Sequence, residues 1–351
     1  MSRRTLATVV VAALLLVLVA VVALFPVPYV AMSPGPTVDV LGKAGSSQVI
    51  DVSGHQTYPT KGDLRMVTVS VTNPTRELRL PEVLWAWFDP DRAVYPRDVI
   101  YPPNQSAQDV EQQSSVQMVN SQDTAIAAAL TELGYHLPLQ VEVLAVTKGA
   151  PADGRLKVHD RLLRVNGTPV RNAGQVSTLL QRSGVGQTAT FVVRRDNRKR
   201  TVRVRTEASP QDPKKARVGV EIGTGYDFPF HVSVRLGQDI GGPSAGLMFS
   251  LGVYDVLTPG ALTGGADVAG TGTIDEHGHV GPIGGIQQKI VAAKRAGATL
   301  FFVPPGNCRS AEHAPVNKDE IRLVKATTMH SAVSSLHAYA RNRSATLPAC
   351  S

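Results

Sequence analysis

The sequence predicts an α+β protein behind a single N-terminal transmembrane helix. Three observations predict it: an uninterrupted apolar run over Leu6–Phe25, β-type alternation between Gln140 and Thr206, and helix-periodic apolar positions after Ser114, Gly246 and Gly285. The 351 residues, 43% apolar and 18% charged, have the composition of globular domains and the length of two or three of them. Thirty-six Lys and Arg against twenty-eight Asp and Glu leave a net charge of +8, which suits an anionic surface without naming one. Two cysteines are too few for a disulfide framework or a four-thiolate zinc site.

Leu6–Phe25 carries no charge and nothing more polar than Thr8. Twenty residues of helix rise about 30 Å, the thickness of the hydrocarbon core of a bilayer. Arg3 and Arg4 precede the run, which predicts a cytoplasmic N-terminus and an exported remainder; Pro26 and Pro28 end the helix. A cleaved signal has an apolar core of only ~7–15 residues, and no A-x-A pattern lies between Ala20 and Ser33. An uncleaved, single-pass anchor is therefore expected. An oxidising exterior permits a disulfide between Cys308 and Cys350; the alternative is two unrelated thiols, one of them in a frayed tail.

Gly62–Val71 is a β-rich run, and Trp85-Ala86-Trp87 reads as a strand with both indoles on one face. Ser114–Leu133 is helical, with Val116, Val119, Ala125, Ile126, Ala129, Leu130 and Leu133 at apolar positions.

Val141, Val143 and Ala145 then define a strand. Lys148-Gly149-Ala150-Pro151-Ala152, Leu156, Asp160-Arg161-Leu162-Leu163 and Val165-Asn166-Gly167-Thr168-Pro169-Val170 follow, with Asn166-Gly167 as a type I′ hairpin signal. Ala173–Leu180 reads as a short helix ended near Gly184. Thr188–Arg194 and Arg200–Thr206 read as a hairpin around Asp196-Asn197. This order resembles the PDZ domains of bacterial envelope proteases, with His159 standing where that family usually has glycine. The resemblance implies binding of extended peptides by strand addition; its carboxylate loop has only Gly134-Tyr135-His136-Leu137 as a candidate. The arginines and Lys199 of this hairpin lack the interleaved aromatics of a nucleic-acid surface and read as a solvated face, so no nucleic-acid partner is expected.

The chemistry lies in the C-terminal block. Gly241-Gly242-Pro243-Ser244-Ala245-Gly246 precedes the apolar run Leu247–Val253, which puts Ser244 at a helix N-terminus. Free backbone N–H groups there, at Gly242, Ser244 and Ala245, are candidates to stabilise an oxyanion. Gly242 to Gly246 also satisfies G-x-S-x-G literally, but a nucleophile elbow needs a strand running into the serine, and 236–242 reads as loop. His231 is one candidate base. Lys289 is the other: Ile286, Ile290, Val291, Ala293 and Ala296 place it in the first turn of a helix ending at Gly297. A cation at a helix N-terminus, partly buried, has a lowered pKa, as a lysine base requires.

Gly242-Pro243-Ser244-Ala245-Gly246 and Pro282-Ile283-Gly284-Gly285…Lys289 together resemble the two signatures of the Lon protease catalytic domain. Arg295-Ala296-Gly297-Ala298 and Phe302-Val303-Pro304…Asn307 follow in matching order. The resemblance implies a Ser–Lys dyad with Ser244 as nucleophile and Lys289 as base, and Thr271 orienting the lysine. It departs at Gly241, where the family commonly has an acid; Asp239 is the nearest carboxylate upstream.

Over nearly its full length the chain resembles the membrane-anchored, PDZ-containing Lon-like proteases of Gram-positive bacteria. That implies an anchor over 1–32, a Lon-type α+β domain over 33–135 and 209–341 with a PDZ domain over 136–208 inserted in it, and a tail over 342–351. No G-x-x-x-x-G-K-[ST] occurs, so ATP-driven unfolding is not expected.

The function expected is an ATP-independent, extracytoplasmic serine endopeptidase acting on protein or peptide substrates, held to the membrane by its N-terminal helix. Neither cofactor nor metal is expected, because His277 and His279 lack a third ligand at suitable spacing. Assembly with further copies of the chain is left open. The competing reading is a catalytically silent PDZ scaffold of the cell envelope, against which the intact dyad argues.

Overall fold

The computed structural model describes residues 3–102, 107–195, 198–210, 212–236 and 240–350. The expected turn at Asp196-Asn197 and the carboxylate of Asp239 lie outside the described residues. An N-terminal helix, Arg3–Leu24, buries none of its residues in the protein and is long and apolar enough to cross a membrane.

The site is organised by a mixed six-stranded sheet, ordered Arg322–Lys325, Leu300–Val303, Asp267–Gly270, Asp63–Val71, Tyr29–Asp39 and Ala93–Pro96. The first three pairings are parallel and the last two antiparallel. Parallel strands covered on both faces read as continuous apolar runs, as in the fully buried Leu300-Phe301-Phe302-Val303. Period-two alternation sends Leu300 and Phe302 to one face with Leu64, Met66 and Val268. Phe301 and Val303 face the other side with Val67 and Ala269. The helices Ala107–Glu132 and Gly246–Leu257 cover the first face. Ile286–Arg295 covers the second through Ile286, Ile290 and Ala293.

Between the two halves of that sheet, the chain builds a second, antiparallel sheet with its own core. Its order is Arg198–Arg205, Thr188–Arg195, Arg161–Val165, Leu139–Val146 and Val220–Tyr226. Val143, Leu162, Phe191 and Val204 pack beneath it with Val176 and Leu180 of the helix Ala173–Ser183. Asn166 (φ 49°) and Gly167 (φ 79°) make the tight turn, for which Asn-Gly is suited. The buried Asp160 accepts two bonds of 2.5 Å from Arg195 and one of 2.9 Å from the Lys157 N–H. Leu139–Val146 is paired along both edges, so an added strand would join at Val220–Tyr226 or Arg198–Arg205. Of the Gly134–Leu137 segment, Tyr135 and Leu137 pack on the main core. His159, at the position where glycine is usual, has φ 65°. That value is one glycine adopts more easily than any other residue, which accounts for the usual glycine there.

One sequence expectation fails. Trp85-Ala86-Trp87 is not a strand but part of the helix Leu80–Phe88. Pro81 stands in the first turn, and the Glu82 carboxylate accepts a 2.8 Å bond from the Arg79 N–H. These are helix-start signals, and they outweigh the strand preference of tryptophan. The indoles point outward, 71% and 69% exposed.

A disulfide joins Cys308 to Cys350, 42 positions apart. The tail is not frayed: Leu347 is buried, and the Lys325 N–H donates to the Pro348 carbonyl at 2.9 Å. Closing a loop of this length stabilises by about 2–4 kcal/mol, so reduction is expected to lower the melting temperature of the folded protein by several degrees. Thiol labelling of the non-reduced protein should find neither cysteine; labelling of both would contradict the pairing.

Candidate active site

Lys289 enters the site from one face of the mixed sheet. Its helix, Ile286–Arg295, begins after Gly285, which is left-handed (φ 68°, ψ 34°). A Cβ at Gly285 would come within 2.7 Å of both Met32 Sδ and Val69 Cγ1, so backbone conformation and space each call for glycine. Lys289 lies in the first helical turn, where its N–H donates to the Gly285 carbonyl at 3.0 Å. Its side chain is 2% exposed. Burial alone pulls the ammonium down from 10.5 to about 8, because removal from water disfavours the charged form.

Ser244 arrives from the opposite face, two residues ahead of the helix Gly246–Leu257. It is half-buried, while the following Ala245 is buried. Its loop is held at three points. The Ser244 carbonyl accepts from the Gly272 N–H and from Thr271 Oγ1, each at 2.9 Å. Ser121 Oγ, on the helix Ala107–Glu132, donates to the Pro243 carbonyl at 3.0 Å. The Gly242 N–H reaches the Ser114 carbonyl at 3.4 Å.

Thr271 is the first residue beyond the parallel strand Asp267–Gly270 and is wholly buried. There the two faces of the sheet meet. Lys289 Nζ lies 2.7 Å from Ser244 Oγ and 3.0 Å from Thr271 Oγ1. Among the described residues no carboxylate shares this contact, so the lysine is paired with two hydroxyls rather than a counter-ion. A buried amine without a counter-ion is the more easily deprotonated one.

Of the sequence-derived candidates, Ser244, Lys289 and Thr271 come into direct contact, with Gly242 and Ala245 alongside. His231 lies apart, exposed on the strand His231–Val234, which pairs with Ile50–Ser53. That strand ends ten residues before Ser244, and among the described residues no strand feeds the serine turn. His277 and His279 are exposed, and His279 Nδ1 bonds Asp275 Oδ2 at 2.9 Å. At position 241, where the acid is missing, a Cβ would lie 2.1 Å from Ser114 Oγ, so a side chain there requires the serine hydroxyl to turn aside. Ser121 escaped the sequence reading because its partner is 122 residues away. Its one signal is a hydroxyl at a buried position on a helix face shared with Met118 and Ala125.

A family model described as the Lon protease (S16) C-terminal proteolytic domain matches residues 214–337, and a PDZ-domain model matches residues 108–206. The Lon protease 2 of Herpetosiphon aurantiacus is 45% identical over 102 residues, covering 29% of this chain and 12% of that protein. The Lon protease 2 of Sorangium cellulosum is 34% identical over 105 residues, covering 29% and 13%. The chain thus spans about an eighth of the length of these curated relatives. Among solved structures, the PDZ domain of an SdrC-like protein from Listeria innocua aligns over 24% of this chain and 92% of its own, at 19% identity and a TM-score of 0.22.

Proposed function

From a chain that carries a Lon-type proteolytic domain and a PDZ domain, we propose a serine endopeptidase that works without ATP outside the cytoplasm, tethered by its N-terminal helix. The observation that carries this reading is the 2.7 Å contact between Ser244 Oγ and a buried Lys289 Nζ whose pKa is lowered to about 8. Neutral Lys289 accepts the hydroxyl proton as Ser244 Oγ attacks the peptide carbonyl, and then delivers that proton to the leaving amine. Water, deprotonated by the same amine, hydrolyses the acyl-enzyme. The Ser244 and Ala245 N–H groups, next to the helix N-terminus, are the donors for the oxyanion. Gly242 contributes left-handed backbone (φ 86°) to the turn that presents them. Thr271 holds the amine while its own hydroxyl donates to the Ser244 carbonyl.

We assign a protease domain over 33–135 and 209–341, interrupted by a PDZ domain over 136–208 that recruits extended peptide, although Val220–Tyr226, beyond the latter bound, pairs with Leu139–Val146 in the second sheet. The PDZ family match begins earlier, at residue 108, and so takes in most of the helix Ala107–Glu132. That helix packs through Ile126, Ala129 and Leu130 into the main core, which favours counting it with the protease.

Full-length protein purified in detergent is expected to hydrolyse fluorescein-labelled casein with no nucleotide, at a rate that ATP and magnesium leave unchanged. Dependence on ATP would contradict the reading. External protease added to wall-stripped cells should remove the PDZ region; complete protection would reverse the topology. Thr271→Ala should lower kcat by about 10- to 100-fold with little change in KM, and Thr271→Ser should retain most activity. Unaltered kcat in Thr271→Ala would remove the threonine from the mechanism.

A further inference from the structure

We propose that Asp123, Glu142 and His159 bind a divalent transition cation of the Zn2+ class at the seam between the PDZ sheet and the helix Ala107–Glu132. Asp123 comes from that helix, Glu142 from the strand Leu139–Val146, and His159 from the loop before Arg161–Val165. One ligand atom from each lies within 4.8 Å of the other two. Asp123 is 7% and Glu142 4% exposed. Asp123 Oδ2 is buried with no hydrogen-bond partner among the described residues, and it faces His159 Nδ1 at 3.6 Å. Glu142 Oε1 lies 2.6 Å from the same nitrogen.

Two buried carboxylates with an orphaned oxygen call for positive charge. The nearby Arg161 is engaged elsewhere, bonded to Asp227 at 2.7 Å. One imidazole nitrogen and two carboxylate oxygens suit Zn2+ or Mn2+ better than Ca2+, which prefers six or more oxygens. The three residues line a cavity of about 640 Å³, which leaves room for water to complete the coordination. The cation would tie the PDZ sheet to the helix whose Ser121, two residues from Asp123, holds the serine loop at the Pro243 carbonyl.

The test is calorimetric titration of EDTA-treated, untagged full-length protein in detergent with Zn2+. One equivalent is expected to bind saturably and to raise the melting temperature, with Ca2+ binding far more weakly. His159→Gly removes a ligand at a backbone position that glycine suits, so the fold is kept. It and Asp123→Asn should each weaken Zn2+ binding by about tenfold or more. Absence of stoichiometric binding, or equal binding by wild type and His159→Gly, would overturn the site. Neither readout depends on the Ser244–Lys289 chemistry.

A separate observation concerns the helix Leu80–Phe88, and we infer that it lies against the same bilayer that the anchor helix enters. Leu84, Trp85, Trp87 and Phe88 are all exposed. The helix follows directly on Leu78–Arg79, which pairs with Pro26–Val27, the residues just after the anchor. The apolar side chains are therefore delivered beside the point of membrane exit, and the two helices touch. Tryptophan and phenylalanine favour the membrane–water interface, and Arg79, at the N-cap of the helix, stands near to meet lipid phosphates, whereas Arg76 and Arg92 are paired with Glu82 and Asp89.

This inference rests on the anchor reading, which co-flotation with vesicles tests separately. The chain has only two tryptophans, Trp85 and Trp87, so its intrinsic fluorescence reports this helix alone. Full-length protein in phosphatidylcholine–phosphatidylglycerol vesicles should show blue-shifted emission, strongly quenched when the acyl chains are brominated. Emission that bromine leaves unquenched, in protein that still floats with the vesicles, would mean that water, another copy or another protein meets these indoles, and would overturn the inference.

Discussion

Ser244→Ala is expected to lower casein hydrolysis by about 10⁴-fold or more while leaving the fold intact, since removing a nucleophile removes the covalent route entirely. The substitution deletes one half-buried hydroxyl, whereas the loop keeps its anchors at the Ser244 and Pro243 carbonyls. Lys289→Arg should be as inactive, although it preserves charge. A guanidinium does not lose its proton at accessible pH, so it cannot act as the base. An Arg variant with near wild-type turnover would show that lysine is not the base and would return attention to His231. The paired measurement is kcat for both variants alongside their circular dichroism, so that a folding failure is told apart from a chemical one.

Lys289→Met is expected to abolish turnover and at the same time stabilise the protein. Burial lowers Lys289 from 10.5 to about 8, so at neutral pH the charged form costs the folded state up to ~3 kcal/mol relative to the unfolded chain. The sign follows from proton counts. Between pH 8 and 10.4 the unfolded chain binds more protons at this residue than the folded one, so the wild type gains stability as pH rises through that window. Methionine, of similar length, has no proton to lose, and Thr271 keeps the Ser244 carbonyl as a partner for its hydroxyl. The stability advantage of Lys289→Met should therefore be largest near pH 7 and shrink to under ~1 kcal/mol near pH 10. Denaturant unfolding at the two pH values measures it. An advantage that does not change with pH would mean that Lys289 is not held at a lowered pKa. Stability given up at a reacting group is the usual trade between stability and activity.

The placement of Ser244 and Lys289 at two helix starts was legible because it rests on short local patterns. Gly-Pro-Ser-Ala-Gly before an apolar run marks a helix start, and Gly-Gly ahead of a helix-periodic run places Lys289 in a first turn. The Asn166-Gly167 hairpin and the long helix after Ser114 were legible for the same reason, each being written in neighbouring residues, whereas the disulfide, 42 positions apart, was legible from there being only two cysteines to pair. What else connects distant segments was not. Ser121 meets Pro243 only because two helices pack on one sheet face, and no spacing rule spans that gap. Asp123, Glu142 and His159 belong to a helix, a strand and a loop whose approach depends on how the second sheet docks, so a search for ligand spacing passes over them. In the helix Leu80–Phe88 the strand preference of tryptophan conflicts with the start signals of Pro81 and Glu82, and the start signals prevail. The proximity of position 241 to the Ser114 hydroxyl likewise joins two segments far apart in the chain.

The most direct test of the Ser–Lys assignment is the pH dependence of kcat/KM for casein hydrolysis by the full-length enzyme, which reports ionisations of the free enzyme. With Lys289 lowered to about 8 and only its neutral form competent, kcat/KM should rise with pH along a single ionisation near 8 and level off above it. A profile that rises near 6.5, the ordinary value of histidine, or one that falls with pH through 8, would contradict a lysine base at Ser244.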